Sequence, residues 1–276
     1  MKFALCNEVI HEMPFAAQCD FAAAVGYDGL ELAPFTLSDR PHEPGAIDRA
    51  AVRAAAADAG IEIVSLHWLL LAPERLSITD PDDGVRAHTV EVMRRLIELC
   101  AELGGGVLVH GSPLQRRLPE GDEVAARQRA IDCFAAIAGD AEAAGVTYCI
   151  EALAPTETNF INAIAEAAAI VDGINSPAVR TMLDCCAASR VEAEGLAALV
   201  DRWLPSGHIA HVQVNDGNRR GPGQGDDRFT PLLAALMRHE YQGAVAVEPF
   251  DYHPDGAAAA ARAIGYLRGI EEALRN

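Results

Sequence analysis

Positive charge is in short supply in this sequence: 22 Lys and Arg stand against 40 Asp and Glu, for a net charge of -18. Phosphate backbones are bound mainly through Lys and Arg that displace counterions, so the imbalance argues against a nucleic-acid partner. Aromatic side chains make up only 5% of the residues, which leaves aliphatic residues and alanine to fill the core. No window approaches the roughly 18 consecutive apolar residues of a membrane-spanning helix, so no membrane partner is expected. Asn7 and Glu8 interrupt the apolar stretch from Met1 to Ile10, which therefore does not read as a secretory signal. The seven cysteines include no CxxC pair, and most lie in apolar runs. That is the pattern of reduced, buried thiols in a cytoplasmic protein, and the vicinal pair Cys185-Cys186 reads as small buried residues after a strand.

What the chain does have is a regular alternation of short β-like runs and longer helical patterns. Strands are expected at Lys2-Cys6, Gly29-Leu32, Ile61-Leu66, Val107-Val109, Val146-Ile150, Val179-Leu183, Ile209-Val214 and Ala244-Val247. Helical patterns follow at Met13-Val25, Ile47-Ala59, Pro81-Leu103 with Asp80 as cap, Glu123-Ala144, Ile161-Val171, Glu192-Val200, from Thr230-Pro231, and Ala257-Leu274. Strict alternation requires parallel strands joined by right-handed crossovers. The 276 residues are close to the roughly 250 of one complete barrel, and no GxGxxG follows the first strand to favour an open dinucleotide-binding sheet. Gly104-Gly106 follows a helix and precedes a strand, the reverse of a phosphate cradle, and reads as a tight turn. No linker divides the chain. The expected fold is α/β, a single (β/α)8 TIM barrel spanning residues 1–276.

In such a barrel the active site is assembled where each strand ends and the following loop begins. Strand five ends in Ile150-Glu151, strand six in Leu183-Asp184, strand seven in His211-Val212-Gln213, and strand eight in Val247-Glu248. One carboxylate at a strand end has ordinary explanations, such as capping a helix. Three converging carboxylates repel one another unless their pKa values rise or a cation neutralises them. Oxygen donors suit a hard divalent ion, so Mg2+ or Mn2+ is the expected cofactor. Alternation puts His211, Gln213 and Asn215 on one face, with Gln213 nearer the mouth and His211 deeper, as a hydrogen-bonded core histidine. Other candidates for contact with substrate are His67 and Trp68 after strand three, His110 after strand four, and Arg219 with Arg220 in the loop after strand seven. Glu31, Asn7 and Glu8 end the first two strands and are weaker candidates.

These residues also resemble a known family. The chain is similar to the xylose-isomerase-like barrels, and within them to the ketose 3-epimerases and hydroxypyruvate isomerases. The resemblance lies in Ile150-Glu151 followed by Glu157-Thr158-Asn159-Phe160, in Leu183-Asp184, in His211-Val212-Gln213 leading to Pro222-Gly223-Gln224-Gly225, and in Val247-Glu248-Pro249. It implies metal ligands at Glu151, Asp184, Gln213 and Glu248, proton exchange by Glu151 and Glu248, and binding of substrate hydroxyls by Glu157. Two positions depart from the epimerase pattern. Gln213 stands where those enzymes carry a histidine, as does Ala187, while His-x-Gln resembles the isomerases. The expected activity is therefore a divalent-metal-dependent sugar isomerase or epimerase acting on a ketose or small hydroxy-keto compound through an enediolate. A lyase or dehydratase, a hydroxypyruvate isomerase, an apurinic endonuclease and a non-catalytic sugar binder are alternatives. The acidic charge and the shortage of histidines at strand ends count against the endonuclease. The resemblance also implies a homo-oligomer. Few features suited to phosphate point to an unphosphorylated sugar or keto acid.

Overall fold

The computed structural model describes residues 1–275. Strands β1 (Lys2–Cys6), β2 (Gly29–Leu32), β3 (Glu62–Leu66), β4 (Val107–His110), β5 (Thr147–Ile150), β6 (Val179–Asp184), β7 (Ile209–Val214) and β8 (Ala244–Val247) pair in order and close on themselves. All neighbours are parallel, and β8 returns to β1 in the register Lys2↔Ala244 to Leu5↔Val247. β1, β2, β7 and β8 have the bounds expected from sequence; the others differ by one residue at one end.

The helices show where local sequence was overruled. The helix expected to start at Pro81 begins at Asp83, because Asp82 caps it by accepting the Gly84 N–H at 2.7 Å. Asp80 instead accepts the Asp82 N–H and makes the preceding turn. The expected Glu123-Ala144 helix is two segments, Glu123–Ala136 and Ala138–Ala144. Ile137, at φ -103° and ψ -2°, interrupts the helix between them and is fully buried, with Ala138 and Ala141 also buried. After β6 there are also two helices, Cys185–Val191 and Leu196–Trp203, in place of one near Glu192. The fifth expected helix starts later, at Ile164, since Ile161 has a left-handed backbone (φ 62°).

Between barrel wall and helices lies a continuous aliphatic core. Inside the barrel the two halves differ. Cys149 and Met182 stand two residues before Glu151 and Asp184 and share their inward face. With Val109 they form a separate apolar cluster, flanked by Val107 and Ala210. The opposite half is polar, with Cys6, Glu31, Ser65, His211 and Gln213 all buried. All seven cysteines are free and buried, as expected. No helix among the described residues is long and apolar enough to cross a membrane.

Candidate active site

Glu151 directly follows β5, Asp184 ends β6, Gln213 lies near the end of β7 and Glu248 directly follows β8. All four are buried, at 6%, 6%, 0% and 4% exposure. Glu151 and Glu248 line one small cavity at the barrel mouth, together with His67, Trp68, Gly111, Leu153, Glu157 and Phe250. Gly111 is what admits Glu151: a Cβ there would lie 1.8 Å from Glu151 Oε2. Asp184 is fixed on both oxygens, Oδ1 accepting the Ala187 N–H at 2.6 Å and Oδ2 the Asn215 amide at 2.9 Å. The same Asn215 amide nitrogen donates to the Glu248 carbonyl at 3.0 Å, tying the ends of β6 and β8 together.

Electrostatics agree with convergence. Burial and the neighbouring Glu248 and Asp184 carboxylates hold the Glu151 carboxyl well above its usual range. Burial pushes Asp184 up to about 6 despite its two donors, and Glu248 up to about 8 despite His67. Without a cation, Glu151 and Glu248 retain protons at neutral pH, while Asp184 is largely ionised. Gln213 adds a second sign of an unfilled role: its Nε2 donates to Glu31 Oε1 at 2.6 Å, while its Oε1 is buried with no hydrogen-bond partner. Three carboxyl groups raised above their usual range and one orphaned amide oxygen are a donor set suited to a hard divalent cation.

His67 does not sit free to meet a substrate. Its Nδ1 is 3.0 Å from Glu248 Oε1 and its Nε2 is 2.9 Å from Glu8 Oε2. Burial opposes a charged imidazole, but Glu8, Glu248 and Glu31 outweigh it and hold the His67 pKa well above its ordinary value. The protonated ring therefore bridges Glu8 and the carboxyl group of Glu248. Cys6, Glu8, His67 and Glu248 present ligand-type atoms within 4.8 Å of one another, and in this protein those atoms are satisfied largely by that bridge. Glu8 thus joins the site, while Asn7 staples loops by bonding Gln18, Thr36 and the Ala33 N–H.

Below the mouth, Glu31 is a fully buried hub. It receives Gln213, the Cys6 thiol at 3.2 Å and the Ser65 hydroxyl, and His211 Nε2 approaches to 2.6 Å. Burial alone would raise its pKa, but His211, His67 and Ser65 drive it far below the usual carboxylate range. His211 is buried beside Glu31, on the inward face that the alternation expects, but its Nε2 approaches that carboxylate without hydrogen-bond geometry.

The expectation for His110 is corrected. Residues of β4 alternate, and with Val109 facing inward His110 faces the helices. Its Nδ1 is 2.7 Å from the Tyr148 hydroxyl, its ring packs edge-on against Phe134, and burial lowers its pKa to about 3. It is a neutral packing residue and not a wall of the cavity. Trp68 does line the cavity and meets Phe250 edge-on. Arg219 lies over the Phe250 ring at 4.7 Å and reaches to 3.8 Å from Glu157, whereas Arg220 turns away to pair with Asp251.

Sequence reasoning missed Arg116, in the loop after β4. It is fully buried and donates to the Glu151 carbonyl at 2.6 Å, while its Nε and Nη2 find no partner. Burial lowers its pKa to about 10, and it places a positive charge behind Glu151. Two adjacent arginines in a loop gave no signal for which one turns inward.

The chain is 27% identical over 234 residues to the D-psicose 3-epimerase of Ruminiclostridium cellulolyticum, covering 83% of this chain and 75% of that one. It is 28% identical over 227 residues to the L-ribulose 3-epimerase of Mesorhizobium japonicum, covering 80% and 72%. A crystal structure of D-psicose 3-epimerase in the presence of D-fructose superposes with a TM-score of 0.82 at 21% identity, over 98% of this chain and 99% of that chain, and so shares the fold. Residues 19–270 match the family described as xylose isomerase-like TIM barrel, and the chain belongs to that family.

Proposed function

We propose that this protein is a metal-dependent sugar epimerase or isomerase that moves a proton beside the carbonyl of an unphosphorylated ketose. The observation that carries this reading is the pair of glutamates, Glu151 and Glu248, delivered from β5 and β8 to one buried cavity with Asp184 beside them. Relatives named as ketose 3-epimerases support the substrate class.

A C–H bond next to a carbonyl is a weak acid, and its electron pair must move into a new C=C bond as the carbonyl oxygen becomes negative. In this reading one glutamate takes the proton and the other, as a carboxylic acid, returns one to the opposite face of the flat enediolate. The net result is inversion at that carbon with no change in composition. Glu151, Asp184, Gln213 and Glu248 would hold a Mn2+ or Mg2+ ion, which when bound supplies electrostatic stabilisation of the negative oxygen. Arg116 holds the main chain at Glu151, and His67 holds the Glu248 carboxyl group, before substrate arrives. Glu157 and Arg219 stand at the cavity edge to meet sugar hydroxyls, and Trp68 and Phe250 provide apolar surface for its carbon face.

The test is incorporation of solvent deuterium at the carbon beside the carbonyl, with D-psicose and L-ribulose as first substrates and Mn2+ supplied. Glu151→Gln and Glu248→Gln are each expected to lower exchange by more than about 1000-fold while the circular dichroism spectrum is kept. Wild-type-like exchange in either variant removes that glutamate from its role.

A further inference from the structure

Gln213 offers two ends of one amide to very different surroundings. Its nitrogen lies 2.6 Å from Glu31 Oε1, and Glu31 is already approached by Cys6, Ser65 and His211. A carboxylate in that position only accepts, so the amide cannot reverse without setting oxygen against oxygen in a fully buried place. The Gln213 oxygen is thereby turned away from Glu31, and it has no protein partner. Gln213 is also the register neighbour of Asp184 across β6 and β7. Leaving a buried oxygen unpaired is costly, because its hydration is lost and nothing replaces it. Such an atom, on the strand beside the Asp184 carboxylate, fits a ligand position.

We propose that Glu31 is a positioning residue that locks the Gln213 amide oxygen-outward, completing an all-oxygen centre that selects Mn2+ and Mg2+ over ions that favour nitrogen donors. The inference rests on the reading of a cation centre given above and adds what decides its selectivity. Carboxylate and amide oxygens suit Mg2+ and Mn2+, whereas imidazole nitrogen favours Ni2+ and Zn2+. Replacing the amide by an imidazole keeps an N–H for Glu31 and exchanges only the outward atom, oxygen for nitrogen. Outer groups that orient a ligand typically contribute about 10–100-fold to metal affinity.

Calorimetric titration of Mn2+ and Ni2+ into the full chain, stripped with chelator, tests this without reference to turnover. Glu31→Gln, whose own amide can present either end, is expected to bind Mn2+ about tenfold or more weakly than wild type. Gln213→His is expected to raise the ratio of Ni2+ to Mn2+ affinity by about tenfold. If Glu31→Gln loses its circular dichroism signal, the Gln213→His ratio decides alone. An unchanged ratio in Gln213→His, or Mn2+ binding by folded Glu31→Gln within about twofold of wild type, overturns the inference while the cation centre stands. A wild-type chain that binds neither ion overturns both.

Discussion

The two halves of the barrel interior are built from the same alternation of inward and outward residues, yet they carry opposite chemistry. On β4, β5 and β6 the inward layer beneath the mouth is Val109, Cys149 and Met182. On β1, β2, β3 and β7 it is Cys6, Glu31, Ser65, His211 and Gln213, joined through one buried carboxylate. The apolar half contributes packing beneath Glu151 and Asp184. The polar half fixes directions, because each hydrogen bond allows one orientation of the side chain above it. The two sides thus contribute by different physics, and substitutions on them should behave differently.

The largest effect is expected from His67→Ala, which leaves Glu8 and Glu248 facing each other without the cation between them. Removing one partner of a buried ionic group typically costs about 3–5 kcal/mol, measurable as a lowered urea midpoint at pH 7. A loss below about 1 kcal/mol would show that the bridge is not charged.

A smaller effect is expected from pH in the metal-free protein. Asp184 and Glu248 are raised in the folded state, from 3.8 to about 6 and from 4.5 to about 8. A raised group contributes stability that is complete below its unfolded pKa and is lost as pH climbs through the folded one. His67, also raised, acts in the same direction. Glu31 is lowered and acts in the opposite sense, but only below about pH 4.5, its ordinary value. Between pH 5 and 8 the melting temperature of the stripped protein should therefore fall, by about 5 °C if the net effect is near 2 kcal/mol. Saturating Mn2+ should remove the slope, since a cation binds the ionised carboxylates. A melting temperature that rises from pH 5 to 8 without metal would contradict the raised carboxylates.

The smallest effect belongs to the apolar half. Cys149→Ala deletes one buried heavy atom and should cost about 1 kcal/mol, seen in urea unfolding. Solvent-deuterium exchange should stay within about twofold of wild type. A tenfold loss of exchange would show that the apolar half also sets the geometry of Glu151.

Much of this was legible in the residues. Period-two and period-3.6 patterns gave the eight strands to within one residue at their ends, and the rule that barrel sites lie at strand ends singled out Glu151, Asp184, Gln213 and Glu248. The errors were of two kinds. His110 stood at a strand end like the others, and only its inward or outward parity separates a packing residue from a site residue. Ile137 and Asp82 show that helix boundaries depend on which of several local choices the core or a cap rewards.

Sequence alone determined the barrel, the identity of the carboxylates and the end of the cylinder that carries them, because these follow from repeating local patterns. Only the tertiary structure decided that His67 bridges Glu8 and Glu248, that Arg116 is buried behind Glu151, and that Glu31 holds Gln213 by its nitrogen. Those contacts join residues as far apart as Glu31 and Gln213, 182 positions along the chain. Their partners are chosen by closure of the barrel, which no local pattern encodes.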